Sequence, residues 1–293
     1  MKKRIPHREI RFLILALLVS CLSVISADGS QEGFSPFQSL TRRLSEDGID
    51  SEFLSNLLLD GRTELNPSLM ILSLESRESA DLYAQFLTQE TILLSKKFLR
   101  RNLKLLRKAE KKFSVEKEVI VAILLVESRF GENIGKYRLI PTLASIALMD
   151  SPDSLQKNFL ILREMDPDLS YEWMESVAKK KANWAYRELK CFLNIIRHEK
   201  IDPLEVYGSY AGALGMAQFM PSSYLSYALH PESFENWLLS QEAAIFSIGN
   251  YLKCHGWRRG MSMEKKKQVL WTYNHSKPYG ETILQLAQKI KHH

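Results

Sequence analysis

The stretch AILLVESRFG, residues 122–131, places a single carboxylate, Glu127, at the end of five apolar residues. At about 100° per residue, Glu127 shares a helical face with Ile123, Val126 and Phe130. Burial on that face disfavours the ionised form, and the C-terminal end of the helix dipole acts in the same direction, so both raise the pKa. A carboxyl group that keeps its proton near neutral pH can act as a general acid. The alternative is a structural glutamate paired with Arg129 or another base.

A second feature is the glycine- and alanine-rich segment YGSYAGALGMAQFMPSSY, residues 207–224. Its spacing matches neither a dinucleotide-binding fingerprint nor a P-loop. One interpretation is close helix packing; the other is the wall of a cleft in which Ser209 and Gln218 bind a flat polar ligand. The closing PSSY predicts a new helix capped by Ser222 or Ser223. Three aromatic residues could supply stacking faces: Tyr210, Phe219 and Tyr224.

Helices must position these residues, because almost every segment after Phe37 repeats its apolar residues with helical period. Ser114 is the predicted N-cap of the helix that carries Glu127, and Gly131 is the predicted stop. Glu116 would then lie in the first turn. No run of alternating β-branched residues indicates a strand. The predicted fold class is therefore all-α.

The first 27 residues form a basic start, an apolar run of 16 residues and small residues before DGSQEG, which together predict an export signal. Within it, Leu18-Val19-Ser20-Cys21 fits the pattern at which bacterial lipoproteins are cut and acylated, so Cys21 is a candidate lipidation site. Cleavage after Ala27 is the competing prediction. The choice decides between a soluble and a membrane-tethered protein. Residues 28–36 are interpreted as a linker.

The net charge of +6 depends largely on the signal, which holds five basic side chains and one acidic one. Removing residues 1–27 leaves +2, so the composition gives little support to nucleic-acid binding, and none is predicted. Cys191 and Cys254 lie among apolar and aromatic neighbours and are predicted to be buried free thiols. No C-x-x-C pair or His/Cys cluster indicates a zinc site.

Four motifs, VIVAILLVESRFG, GSYAGALGMAQFMPSSY, IGNYLKCHGW and YNHSKPY, resemble in sequence and order those of the membrane-bound lytic transglycosylase B family of bacterial cell-wall enzymes. The resemblance runs from about Phe37 to the C-terminus. It implies a lysozyme-like α-helical domain that cleaves the β-1,4 bond between N-acetylmuramic acid and N-acetylglucosamine and leaves a 1,6-anhydro end. Glu127 matches the family's sole catalytic carboxylate, acting first as acid and then as base. No cofactor is implied.

The resemblance also implies substrate-binding roles for five residues. Ser209 matches a family serine near the catalytic glutamate, and Gln218 matches a glutamine that contacts the sugar. Tyr273, Asn274 and Tyr279 match the segment that lines the family's cleft. The expected partner is therefore the glycan strand of peptidoglycan, in the bacterial periplasm.

The sequence departs from the family at two places. Relatives often carry a calcium-binding loop where this chain has LHPESFENW, and Glu232, Glu235 and Asn236 lack the spacing of such a loop, so no metal site is predicted. Relatives also carry a Pro-Arg-Arg motif past the catalytic helix. If the pair Lys180-Lys181 aligns with it, residues 151–179 are an insertion within a transglycosylase domain spanning 37–293.

Two other functions remain open at this point. A hydrolytic muramidase on the same fold would need a second carboxylate, such as Asp150, to hold the attacking water. A non-catalytic peptidoglycan-binding protein would need no acid at all.

Overall fold

A computed structural model of the chain describes residues 37–75, 79–229 and 233–291. Several sequence predictions fall outside these residues: the export signal at 1–27 with Cys21, the linker at 28–36, and Glu232.

The described residues form fifteen α-helices, with two short 3₁₀ turns and one two-stranded sheet, so the all-α prediction is confirmed. The helices are α1 (Gln38–Glu46), α2 (Ser51–Leu58), α3 (Pro67–Glu75), α4 (Ala80–Tyr83), α5 (Gln89–Arg101), α6 (Leu103–Phe113), α7 (Lys117–Ser128), α8 (Leu139–Ala147), α9 (Pro152–Met165), α10 (Tyr171–Ile196), α11 (Pro221–Tyr227), α12 (Phe234–Leu239), α13 (Gln241–Cys254), α14 (Met263–Tyr273) and α15 (Lys277–Lys291). The strands are β1 (Tyr137–Arg138) and β2 (Tyr207–Gly208). Among the described residues, no helix is both long and apolar enough to cross a membrane.

Unit 1 comprises described residues 37–74 and 144–184. Asp150 lies in this unit, and burial raises its pKa more than its backbone hydrogen bond and the charges of Arg43 and Lys179 lower it. The segment 151–179 forms α9 and the first part of α10. Its status as an insertion remains a prediction.

Unit 2 comprises residues 75–143 and 185–291 of the described chain. Its central element is α7, which contacts α5, α6, α13 and α15. Residues 118–125 are all buried, because an apolar helix surrounded by other helices has no solvent face. Val126 and Glu127 follow this run and are only half-buried, so Glu127 lies where the side chains of α7 emerge from the core.

The two-stranded sheet depends on a close backbone approach that only glycine allows. β1 and β2 pair antiparallel, with Tyr137 opposite Gly208. Gly135 has φ +99°, and a Cβ there would lie 2.0 Å from the backbone of Gly208. The sheet fixes the start of segment 207–224 beside the loop that follows α7. The sheet was not predicted, because strands of two residues are too short to produce an alternating pattern in the sequence.

Both predicted helix caps were wrong. Ser114 does not begin α7 but ends α6 in the left-handed conformation, with φ 60°. The N-cap of α7 is Glu116, and that of α11 is Met220. The first turn of α11 is instead held by buried Glu188 of α10, which accepts hydrogen bonds from the backbone N–H and hydroxyl of Ser222 at 2.9 and 2.8 Å.

The two cysteines of the described residues are free thiols, as predicted, but neither is buried. Cys191 is half-buried and Cys254 is exposed. Cys254 is the last residue of α13, where the chain reaches the surface: residues 251 and 252 are buried, while 253 and 254 are exposed.

Candidate active site

Glu127 lines a cavity of about 690 Å³ in unit 2. Its side chain is half-buried, with the apolar face of α7 behind it. Of the described residues that line the cavity, Glu127 is the only carboxylate. The lining consists of Glu127, Ser209, Tyr210, Ala211, Ala213, Gln218, Met220, Trp271, Tyr273, Asn274, His275, Ser276, Lys277 and Pro278.

Tyr279 holds the carboxylate in place. Its hydroxyl donates a hydrogen bond to Oε1 of Glu127 at 2.6 Å. Burial raises the pKa of Tyr279 well above its usual range, and the negative charge of Glu127 and the neighbouring Tyr273 raise it further. The phenol therefore keeps its proton and donates. A donor at this distance stabilises negative charge on Glu127, which opposes the effect of burial.

Arg129, the partner considered for a purely structural glutamate, points elsewhere. Its guanidinium pairs with Glu90 at 3.4 Å and with Glu132 at 3.1 Å. Its backbone, like that of Phe130, has left-handed φ of 50° and 62°, so the chain turns sharply just after α7. The turn stacks the ring of Phe130 on Phe98, with centroids 4.2 Å apart.

Ser128 fastens this turn to the glycine-rich segment. Its hydroxyl donates to the carbonyl of Met216 at 2.8 Å and accepts from the backbone N–H of Gly131 at 3.0 Å. Ser128 is buried, so both bonds are shielded from water. The end of the helix and the facing cavity wall are thereby held together.

Ser209 and Gln218 are tied into the backbone of that wall. The Ser209 oxygen accepts from the N–H groups of Ala211 and Ala213 at 3.3 and 3.0 Å, so its own O–H remains as a donor. The Gln218 amide nitrogen donates to the carbonyls of Gly215 and Ile134 at 2.8 and 3.2 Å. This leaves the Gln218 Oε1 as an acceptor.

The segment YNHSKPY supplies the opposite side. Tyr273 donates its hydroxyl to the carbonyl of Ala217 at 2.6 Å, and burial, followed by the charge of Glu127, raises its pKa well above the usual range. Asn274 closes α14 and lines the cavity. The structure thus brings Glu127, Ser209, Gln218, Tyr273 and Asn274 together around one cavity.

The structure differs from the sequence analysis for three aromatic residues. Tyr279, predicted from the resemblance to bind substrate, is 1% exposed and lies outside the lining, in contact with Glu127. Phe219 is a core residue whose ring packs against Trp237 and Tyr251.

Tyr224 also lies outside the lining and packs edge-on against Trp237; burial raises its pKa to about 12. Sequence reasoning missed Trp271, His275 and Lys277 as lining residues, although the first lies two residues before Tyr273.

The described residues contain no group of three or more His, Cys, Asp or Glu side chains that could hold a metal ion. Glu232, in the segment LHPESFENW that was predicted not to bind calcium, lies outside the described residues. The absence of a metal site therefore stays a prediction.

Comparison with known proteins gives a family and a fold. The model of the family described as Transglycosylase SLT domain matches residues 34–267. Membrane-bound lytic murein transglycosylase B of Escherichia coli (strain K12) is 35% identical over 157 residues, which are 53% of this chain. That match spans only about a third of the relative's length, 36%.

Several solved structures of lytic transglycosylases have a similar fold. Slt35 of Escherichia coli, in complex with calcium, has a TM-score of 0.67 and 23% identity, covering 88% of this chain and 93% of its own. SltB1 of Pseudomonas aeruginosa has a TM-score of 0.65 and 25% identity, covering 86% and 98%. SltB3 of Pseudomonas aeruginosa, in complex with NAG-NAM-pentapeptide, has a TM-score of 0.68 and 17% identity, covering 90% and 81%. The predicted lysozyme-like fold is confirmed.

Proposed function

The chain belongs to the Transglycosylase SLT domain family, and on that premise we propose that it is a peptidoglycan lytic transglycosylase. It would cleave the β-1,4 bond between N-acetylmuramic acid and N-acetylglucosamine and leave a 1,6-anhydromuramoyl end. The observation that carries the proposal is the position of Glu127, the only carboxylate among the described residues of the cavity lining, hydrogen-bonded to a buried tyrosine.

A single carboxylate can carry out both proton transfers. Protonated Glu127 gives its proton to the glycosidic oxygen as the bond from C1 to that oxygen breaks. The substrate's own 2-acetamido group stabilises the positive charge that develops at C1. Ionised Glu127 then takes the proton of the C6 hydroxyl while O6 bonds to C1. The acid is restored and no water is consumed, so a second carboxylate to hold water is unnecessary.

Tyr279 favours the first of these steps. Its hydrogen bond to Oε1 is strongest when Glu127 is ionised, and the charge on Glu127 grows as its proton leaves. A contact that is stronger in the transition state than in the ground state lowers the barrier. Tyr279 is therefore a positioning residue that acts through Glu127.

The polar groups of the cavity wall suit an N-acetylated sugar. The Ser209 hydroxyl is a donor and the Gln218 carbonyl an acceptor, while an amide such as that of Asn274, at the opposite side, carries both functions. The hydrogen bonds of Ser209 and Gln218 to the backbone hold these two side chains before substrate arrives, which reduces the entropy lost on binding.

We also propose export to the periplasm, with a lipid on Cys21 as the tether. Support comes from the sequence of residues 1–27, which lie outside the described residues, and from the name of the Escherichia coli relative, which calls that protein membrane-bound. Cleavage after Ala27 would give an untethered protein. Mass spectrometry of the membrane fraction, before and after Cys21→Ala, distinguishes the two.

The test of the activity is digestion of purified peptidoglycan, with the products measured by mass spectrometry. The proposal predicts anhydro ends, about 18 Da lighter than the reducing ends left by hydrolysis. Glu127→Gln should lower the rate at least about 100-fold, as expected when a general acid is removed. Exposed Glu132, which pairs with Arg129, is the matched control, and Glu132→Gln should leave the rate within about twofold. Reducing ends, or a Glu127→Gln protein as active as the control, would refute the proposal.

A further inference from the structure

One edge of the cavity carries features that the cleavage step does not use. We call Trp271, His275 and Lys277 the basic rim; all three are exposed and line the cavity. Trp271 lies in the last turn of α14 with 43% of its surface exposed, and its ring meets that of His275 edge-on, with centroids 5.6 Å apart. An aromatic face this open beside a polar cavity is typical of a binding surface.

Lys277 gives the basic rim an uncompensated positive charge. Two nearby lysines are paired with acids: Lys266 with Glu116 at 2.6 Å, and Lys267 with Glu281 at 3.1 Å. Lys277 makes no ion pair or side-chain hydrogen bond with any residue that the structure describes. The one carboxylate of the described lining, Glu127, is held by Tyr279. The rim therefore attracts an anion from outside the protein.

A peptidoglycan strand offers one kind of anion at a fixed place. Its sugars are neutral except at N-acetylmuramic acid, which carries either a free lactyl carboxylate or a stem peptide with carboxylates of its own. We propose that Lys277 binds a carboxylate of the muramoyl residue, while the face of Trp271 packs against a neighbouring sugar ring. This inference rests on the proposed function, because it takes the glycan strand as the ligand. It makes Lys277 a residue that distinguishes muramoyl-containing strands from uncharged glycans.

The test is a binding measurement with three probes. They are glycan strands with stem peptides, the same strands after an amidase has removed the peptides, and oligomers of N-acetylglucosamine of equal length, which have no carboxylate. Binding is measured in the Glu127→Gln background so that cleavage of the probes is slow on the timescale of the measurement. Lys277→Gln should weaken binding of a carboxylate-bearing probe by about threefold to tenfold at low salt and leave binding of the uncharged oligomer unchanged.

Two controls make the result specific. Lys289→Gln changes the same charge on an exposed position near the other end of α15 and should alter binding of no probe. Lys277→Arg keeps the charge and should retain the preference for carboxylate-bearing strands. Added salt should reduce the difference in affinity between the protein with Lys277 and the Lys277→Gln variant, since exposed charges are screened.

Each outcome bears on one claim. Weakening confined to the stripped strands identifies the lactyl carboxylate, and weakening confined to the peptide-bearing strands identifies the stem; both support the proposal. Equal weakening of all three probes, or of none, overturns it. Unchanged binding of every probe to Trp271→Ala overturns the stacking part. A chain that shows Lys277-dependent binding but, with Glu127 intact, leaves peptidoglycan uncut refutes the proposed function alone.

Discussion

The hydrogen bond from Tyr279 to Glu127 permits a quantitative prediction for Tyr279→Phe. The two oxygens are 2.6 Å apart and Tyr279 is almost wholly buried, so the hydroxyl that donates this hydrogen bond is shielded from water. Hydrogen bonds to charged groups contribute roughly 1.5–3 kcal/mol. About 1.4 kcal/mol corresponds to a tenfold change in rate. If most of the charge on Glu127 has developed in the transition state, kcat should fall by roughly 10- to 100-fold.

The assay is the initial rate of soluble fragment release from purified peptidoglycan, measured as a function of pH. Without the donor, Glu127 gives up its proton less readily, so the alkaline limb of the profile should move to higher pH. Tyr251→Phe is the matched control, because it removes a hydroxyl that donates at 2.6 Å to the carbonyl of Thr272 in the same aromatic cluster. The control should lose about 1 kcal/mol of stability and keep its activity. A folded Tyr279→Phe protein with the wild-type rate and profile would refute the role given to Tyr279.

Three further predictions concern the elements around the site. Gly135→Ala should lower the free energy of unfolding by at least about 2 kcal/mol more than the control Gly256→Ala. The two glycines have similar φ, +99° and +95°, but only a Cβ at position 135 would collide with backbone atoms. Equal losses of unfolding free energy in urea titration would contradict this prediction. Ser128→Ala should cost about 1–3 kcal/mol, since it removes two shielded hydrogen bonds; a loss below about 0.5 kcal/mol would show that they contribute little. Burial raises the pKa of Glu116, but hydrogen bonds from Lys266, from its own backbone and from Trp257 together hold this pKa below its usual value. The ionised carboxylate therefore stabilises the folded protein at pH values above the usual pKa of a glutamate, and this stabilisation is lost as the pH falls below it. Lys266→Met should reduce this loss between neutral and acidic pH, and unchanged pH dependence in urea unfolding would contradict the assignment.

The sequence was sufficient to predict the helical class and the position of Glu127. An apolar run that ends in one carboxylate and is followed by Gly131 leaves few alternatives to a buried helix that stops there. The left-handed turn at Arg129 and Phe130 starts slightly earlier than the glycine indicated. Gln218, Ser209 and Asn274 could be assigned to one cavity with Glu127 only from the resemblance, because spacing alone does not bring together residues so far apart in the chain.

The wrong helix caps and the missed contact of Tyr279 with Glu127 have local and long-range causes. Ser114 lies in the short link between α6 and α7, where a serine could either begin α7 or end α6. Its left-handed backbone, with φ 60°, decides for the end of α6, and the sequence does not show this angle. The capping of α11 by Glu188 joins residues 34 positions apart. The contact of Tyr279 with Glu127 spans 152 positions and arises only when α15 packs on α7. No local pattern carries such information.

The central claim is that one carboxylate transfers both protons and that the C6 hydroxyl, not water, attacks C1. Digestion of peptidoglycan in water enriched in oxygen-18, followed by mass spectrometry of the new ends, tests it directly. The mechanism predicts anhydro ends that contain no heavy oxygen, and their loss in Glu127→Gln. Reducing ends about 20 Da heavier than the anhydro ends, because each has taken up one molecule of the heavy water, would contradict it.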